Sequence, residues 1–202
     1  MNMNMKLKLV VGVMVAGALC AGTSGAAEDS SGLELRLTYI PAVQDIGDWY
    51  EDYLERDRGG WVKVEADVSV FPVGLSMAYR WDMASVIDGG FIYADLGPAA
   101  VMFGDASFWM IPIGGGVGYE VARESAQSFY GKLGLRYPLA GGDAVDGSSP
   151  GLLLAGGMEF AKSDSRLWFV EAAFDTSTIN FDDDDKSKDI DLGLMISVGL
   201  KF

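Results

Sequence analysis

The tightest constraint in this chain is an alternation of period two that runs into its final residue, in "DIDLGLMISVGLKF", 189–202. Ile190, Leu192, Leu194, Ile196, Val198, Leu200 and Phe202 share one face, and Asp191, Gly193, Met195, Ser197, Gly199 and Lys201 share the other. Side chains of a strand point to opposite faces in turn, so this is a two-faced strand, longer than most in soluble domains. Its greasy flank either lines an interior or touches lipid.

Seven further runs repeat the pattern: 33–41, 61–71, 74–82, 107–121, 128–139, 151–161 and 166–176. Breaks rich in Gly, Asp and Ser separate them, and no helical period is convincing. One flank is uniformly bulky, as in Leu33-Leu35-Leu37-Tyr39 and Leu133-Leu135-Tyr137-Leu139. The other carries Glu34, Arg36, Lys63, Glu65, Asp67, Arg80, Asp82, Glu120, Lys132, Arg136, Glu159, Glu171, Asp175, Asp191 and Lys201, with Gly114, Gly116, Gly118, Gly134, Gly157, Gly193 and Gly199 between them. Bulk outside and small or charged groups inside suit a narrow barrel whose strands share one lumen. Tyr39, Trp81, Trp109, Tyr137 and Phe174 fall toward one end, and Tyr119, Phe129, Phe160, Trp168 and Phe202 toward the other. Membrane interfaces favour two such aromatic belts. Lipid offers the backbone no partner, so the sheet must close.

The expectation is an all-β, eight-stranded antiparallel up-and-down transmembrane β-barrel. Short turns (Pro72-Val73, 122–127, 162–165) gather at one end, and longer loops (42–60, 83–106, 140–150, 177–188) at the other. Residues 83–106 are apolar for a loop, and "GFIYAD" with "AAVMFG" would supply ten strands as the alternative. Pro112 inside a strand calls for a bulge.

Residues 1–27 carry Lys6 and Lys8, an apolar run from Leu9 to about Ala21, and Ser24-Gly25-Ala26-Ala27. That is the layout of a cleaved secretory signal peptide, leaving 28–202 as one barrel domain. The apolar run is too short to be a spanning helix. A lipidation site at Cys20 is the rival, but Gly17-Ala18-Leu19 lacks the Leu three residues upstream and the small residue beside the Cys. Cys20 is the sole cysteine, so the mature chain relies on backbone pairing and packing without disulfides. The net charge of −14 becomes more acidic once Lys6 and Lys8 are removed, which excludes a basic nucleic-acid footprint.

In its alternation, its turn and loop lengths and its terminal "VGLKF", the chain resembles the small outer-membrane barrels of the OmpA/OmpX type. The resemblance implies a Gram-negative-type envelope, an outer-membrane location, and outer-membrane lipid and lipopolysaccharide as surroundings. It also implies that the assembly machinery reads the last strand through Val198, Leu200 and Phe202. Leu200 stands where that family often has a second aromatic.

Histidine is absent, which removes the base or orienting group that known enzymes of that membrane use. "GGGVGYE", 114–120, fits no phosphate-binding spacing and reads as room inside a small barrel. "DDDDKSKD", 182–189, lacks the calcium-loop glycine and closing Glu, and reads as a solvated loop with weak divalent-ion binding as the alternative. "YEDYLERDR", 50–58, reads as an exposed loop whose Tyr50, Tyr53, Arg56 and Arg58 offer contacts to lipopolysaccharide phosphates or a protein. Mixed inward charges across a narrow lumen pair and plug it. The expected function is therefore a non-enzymatic, monomeric integral outer-membrane protein without cofactor or metal, its loops serving envelope structure or surface interaction. The alternatives are a small porin-like channel for ions or solutes and a soluble secreted lipid-binding barrel.

Overall fold

A computed structural model describes residues 31–57, 68–69, 72–104, 106–121, 127–163, 166–183 and 186–202. The leader, Lys63, Glu65 and Asp67 lie outside them. The elements are β1 (Gly32–Tyr39), α1 (Ala42–Asp57), β2 (Val68–Ser69), β3 (Val73–Asp82), β4 (Gly90–Gly104), β5 (Phe108–Val121), β6 (Gln127–Gly142), β7 (Val145–Ser149), β8 (Gly151–Ser163), β9 (Arg166–Asp183) and β10 (Lys186–Lys201). Among the described residues, eight strands close an antiparallel barrel in the order β1-β3-β4-β5-β6-β8-β9-β10, with β2 and β7 as short additions at the loop end. The last strand zips onto the first, Leu35 opposite Leu200 and Leu37 opposite Val198. The Phe202 N–H donates to the Leu33 carbonyl at 2.9 Å, and the Leu33 N–H donates back at 3.2 Å.

The strand number agrees with the sequence, but the set of staves differs. β3 pairs directly with β1, so the run 61–71 is not a stave between them. Pro72-Val73 does not reverse the chain, because β2 and β3 both lie antiparallel to β4, with Val68 opposite Gly104 and Leu75 opposite Ala99. The vacant place belongs to β4, which joins "GFIYAD" and "AAVMFG" in one strand. A register shift between Leu96 and Ala100 breaks its alternation and conceals it as loop. The bulge expected in β5 at Pro112 is that same irregularity on the neighbouring strand. Pro112 lies between Met110 and Ile113, which pair with Ala100 and Leu96 across the shift.

Residues 42–57, read as loop, form a helix. Val43, Ile46, Trp49, Tyr50 and Leu54 recur at three and four residues and are buried, whereas Gln44, Asp45, Asp48 and Glu51 are exposed. Pro41 precedes the first turn and Asp45 lies in it, both suited to a helix start. The buried face packs into the loop-end mouth of the barrel on Met102, Phe108, Ile179, Phe181, Ile190 and Leu192.

β9 has one unbroken phase and two chemistries. Below, it turns Trp168, Val170 and Phe174 outward and Glu171 and Asp175 inward. Above, Thr176, Thr178, Asn180 and Asp182 face outward, while Ile179 and Phe181 are buried inside. β10 reaches the same end by a different route. A register shift between Asp191 and Gly193, with Gly193 at φ +64°, inverts its phase. Ile190 and Leu192, expected outside, are therefore buried, and Asp191, expected in the lumen, is exposed and accepts a hydrogen bond from Thr178 Oγ1 at 2.7 Å.

The sidedness of the lower part is plain. Leu135 is 65 % and Ile196 50 % exposed, whereas Arg136 is 4 % exposed. On β6 the outward residues Phe129 to Leu139 span roughly 34 Å along the strand, or about 25 Å once tilted, the height of a membrane barrel's apolar band. A soluble lipid-binding barrel would require Leu135 and Ile196 inside.

Lumen glycines make room for lumen rings. The atoms nearest to a Cβ on Gly157 would be those of the Tyr130 side chain; one on Gly118 or Gly199 would run into Phe91 or Phe169. Gly157→Val is expected to destabilise the barrel by about 1–3 kcal/mol through overpacking. Urea unfolding from lipid vesicles measures it, and the loss should shrink in a Tyr130→Ala background.

Candidate functional site: a charged lumen beneath a helical plug

Inward positions on β1, β3, β5, β6, β8, β9 and β10 bring Glu34, Arg36, Arg80, Glu120, Lys132, Arg136, Glu159, Glu171, Asp175 and Lys201 into one buried stack. β4 adds Asp95, which the sequence reading left in a loop. Asp82 sits half-buried at the terminal-side rim, where its carboxylate accepts the Ala84 N–H at 2.7 Å.

The stack has three tiers. Nearest the termini, Lys201 pairs with Glu159 at 3.1 Å, and Arg80 reaches Glu159 at 2.8 Å, Glu120 at 3.6 Å and Glu34 at 2.5 Å. In the middle, Lys132 bridges Glu171 at 2.8 Å and Glu34 at 3.2 Å, while Arg36 pairs with Glu34 and with Glu171 at 3.2 Å. Above, Arg136 joins Asp95 and Asp175, the latter at 3.2 Å. These pairs engage five cations and six carboxylates, close enough to balance for buried charge to be compensated in place.

Aromatic rings insulate the tiers. The Arg80 guanidinium lies 4.2 Å from the Phe91 ring centroid and 4.8 Å from that of Tyr130, and Lys132 Nζ lies 4.8 Å from Tyr130. Tyr130 Oη donates to Glu171 at 2.9 Å. Phe91, Tyr93, Tyr130 and Phe169 are buried lumen aromatics that the sequence reading missed. Their signal is the excess of glycine on the same flank, which makes sense only if rings lie over it. Thr38 completes the upper tier with hydroxyl contacts to Ser197 at 2.9 Å and Ser76 at 3.3 Å.

Above the charges the interior turns apolar and α1 fills it. Trp49 stacks on Tyr53 at 5.5 Å and lies 4.8 Å from Phe181, and Tyr50 meets Phe181 edge-on at 5.8 Å. Tyr50 Oη donates to the Asp143 carbonyl, tethering the helix to the β6–β7 turn. Burial and the nearby Asp143 carboxylate raise the phenol above its usual range, so it remains a donor. Tyr50, expected at the surface as a lipopolysaccharide contact, is fully buried, and Tyr53 is half-buried. The Arg56 and Arg58 side chains lie outside the described residues.

At the other end of the sheet, Val198 and Phe202 are exposed on the outer flank and Leu200 is half-buried. Within "DDDDKSKD", Asp182 and Asp189 are exposed, and Asp189 accepts from Asn180 Nδ2 at 2.7 Å.

No protein-family model matches this chain, and no curated protein matches it. Among solved structures it is similar to the outer membrane protein OprG from Pseudomonas aeruginosa, with a TM-score of 0.54 and 12 % identity over 86 % of this chain and 97 % of that one. It also aligns with Neisserial surface protein A, TM-score 0.48 and 13 % identity over 88 % of this chain and 98 % of the other. The likeness to OprG establishes the fold, a small outer-membrane β-barrel.

Proposed function

We propose that this chain is an integral outer-membrane protein, non-enzymatic, with a lumen closed by its own ion pairs and loops that serve envelope structure or surface interaction. In this reading residues 1–27 export it, and the assembly machinery recognises Val198, Leu200 and Phe202 on the closing strand, as in the OmpA/OmpX-type barrels that it resembles. A closed barrel satisfies its own backbone and functions as a monomer.

The observation that carries the reading is the Arg80 cluster. A side chain with no exposed surface links carboxylates from β1, β5 and β8, so three walls of the lumen meet at one guanidinium. The apolar seat of α1 adds a second closure above it. The described loop-end surface is acidic, with Asp45, Asp48, Glu51, Asp146, Asp182, Asp189 and Asp191 exposed. Lipopolysaccharide phosphates therefore approach it through bridging divalent cations rather than directly.

Planar-bilayer recording tests the closure. The refolded protein is expected to be electrically silent. Discrete openings abolished by Arg80→Gln or Glu120→Gln would establish the alternative, a small channel for ions or solutes.

A further inference from the structure

The turn between β3 and β4, residues 83–89, lies at the same end of the barrel as the start of β1 and the close of β10. The Asp82 N–H there donates to Ser31 Oγ at 3.0 Å. The turn is well fastened: Val86 and Ile87 N–H donate to the Met83 carbonyl at 2.8 and 2.9 Å, and Met83 N–H donates to the Gly90 carbonyl at 2.8 Å. Its tip is nevertheless apolar, with Val86 73 % and Ile87 53 % exposed, where turn chemistry favours small polar residues.

Where Ile87 lies is informative. Phe91 points into the lumen, so its neighbour Gly90 occupies an outward position, opposite outward-facing Tyr119. A Cβ on Gly90 would meet Ile87 Cβ at 3.0 Å and Cγ2 at 3.2 Å, so Ile87 is folded back against the outer flank of the wall. A Cβ on Gly89 would lie 3.4 Å from the Tyr119 ring. Trp81, which the sequence pattern assigns to the girdle with Tyr39, lies at this end because β3 runs antiparallel to β1. Opposite Ile92, it continues the same surface, its ring 4.7 Å from that of Tyr79. Ile87 thus continues the outward apolar band past the aromatic girdle, with Val86 exposed beside it and Ser85 and Asp88 flanking the pair.

We propose that this turn is an interfacial anchor, inserting Val86 and Ile87 at the boundary between headgroups and acyl chains in the phospholipid leaflet on the termini side. Continuity with the lipid-facing wall selects lipid over a protein partner, and aromatic residues such as Tyr119 and Trp81 suit that depth. The inference rests on the membrane reading above.

Single thiols placed by Val86→Cys, Ile87→Cys, Leu135→Cys and Asp146→Cys in a Cys20→Ser background carry an environment-sensitive fluorophore. The protein sits in nanodiscs of phosphatidylethanolamine and phosphatidylglycerol, and heat-modified gel migration verifies each fold. Labels at 86 and 87 are expected to emit to the blue of the Asp146 label, to be quenched by shallow acyl-chain nitroxides, and to resist iodide. Iodide quenching equal to that at Asp146, with Leu135 still in lipid, overturns the anchor alone, whether the tip is free or awaits a protein. A Leu135 label in water would overturn the membrane reading itself.

Discussion

Arg80→Met is expected to destabilise the barrel by about 3–5 kcal/mol, the cost of leaving buried charge uncompensated. Urea unfolding from lipid vesicles gives the number. The loss falls unevenly on the three partners. Glu34 keeps Arg36 and Lys132, and Glu159 keeps Lys201, whereas Glu120 loses the ion pair described for it. Arg80→Met combined with Glu120→Gln is therefore expected to be less damaging than the two single changes added together, a coupling that a double-mutant cycle isolates. Strict additivity would mean that the two groups do not sense each other. Arg80→Lys should recover only part of the loss, since one ammonium cannot reach three carboxylates in fork geometry or spread over the Phe91 and Tyr130 rings as a planar cation does.

Trp49→Ala should remove about 3–5 kcal/mol from the seating of α1, as expected for deleting a fully packed indole. The ring is 2 % exposed and lies among Tyr50, Tyr53 and Phe181. The barrel's ladders do not run through the helix, so the loss should appear as local opening rather than global unfolding. Added protease is expected to cut within 42–57 while heat-modified migration of the barrel stays unchanged. Loss of the barrel band together with the helix would instead show that the two fold as one unit.

The sequence disclosed most where strands keep one phase. β5, β6, β8 and β9 run without interruption through their membrane levels, and there the inward places of Glu120, Lys132, Arg136, Glu159, Glu171 and Asp175 follow from counting by twos. Counting fails across a bulge. The shift at Leu96–Ala100 disguised β4 as a loop and hid Asp95; the shift at Asp191–Gly193 sent Asp191 to the wrong side. Each break carries a glycine at positive φ, Gly97 before Pro98 and Gly193, but glycines are frequent along this chain, and only the pairing of the neighbouring strand shows which of them shifts the register. α1 is a different case. Val43, Ile46, Trp49, Tyr50 and Leu54 carry its period openly, but the acidic and aromatic residues between them resemble a surface loop, and only the apolar seat in the barrel mouth explains that stripe. The lumen rings were hidden for a similar reason: Phe91 and Tyr130 are no different in sequence from girdle aromatics, and their phase alone assigns them inward.

The reversal of chemistry along β9 gives the molecule a draught line of its own. Between Phe174 and Thr176 the outer surface passes from oily to hydroxylated within two residues, while the wall continues upward as a rigid paired sheet. Sinking deeper would drown Thr176 and Thr178, and floating higher would lift Phe174 into water. Any mismatch in thickness thus falls on the surrounding lipid, which must thin or swell around a hull whose immersion the polypeptide has already set.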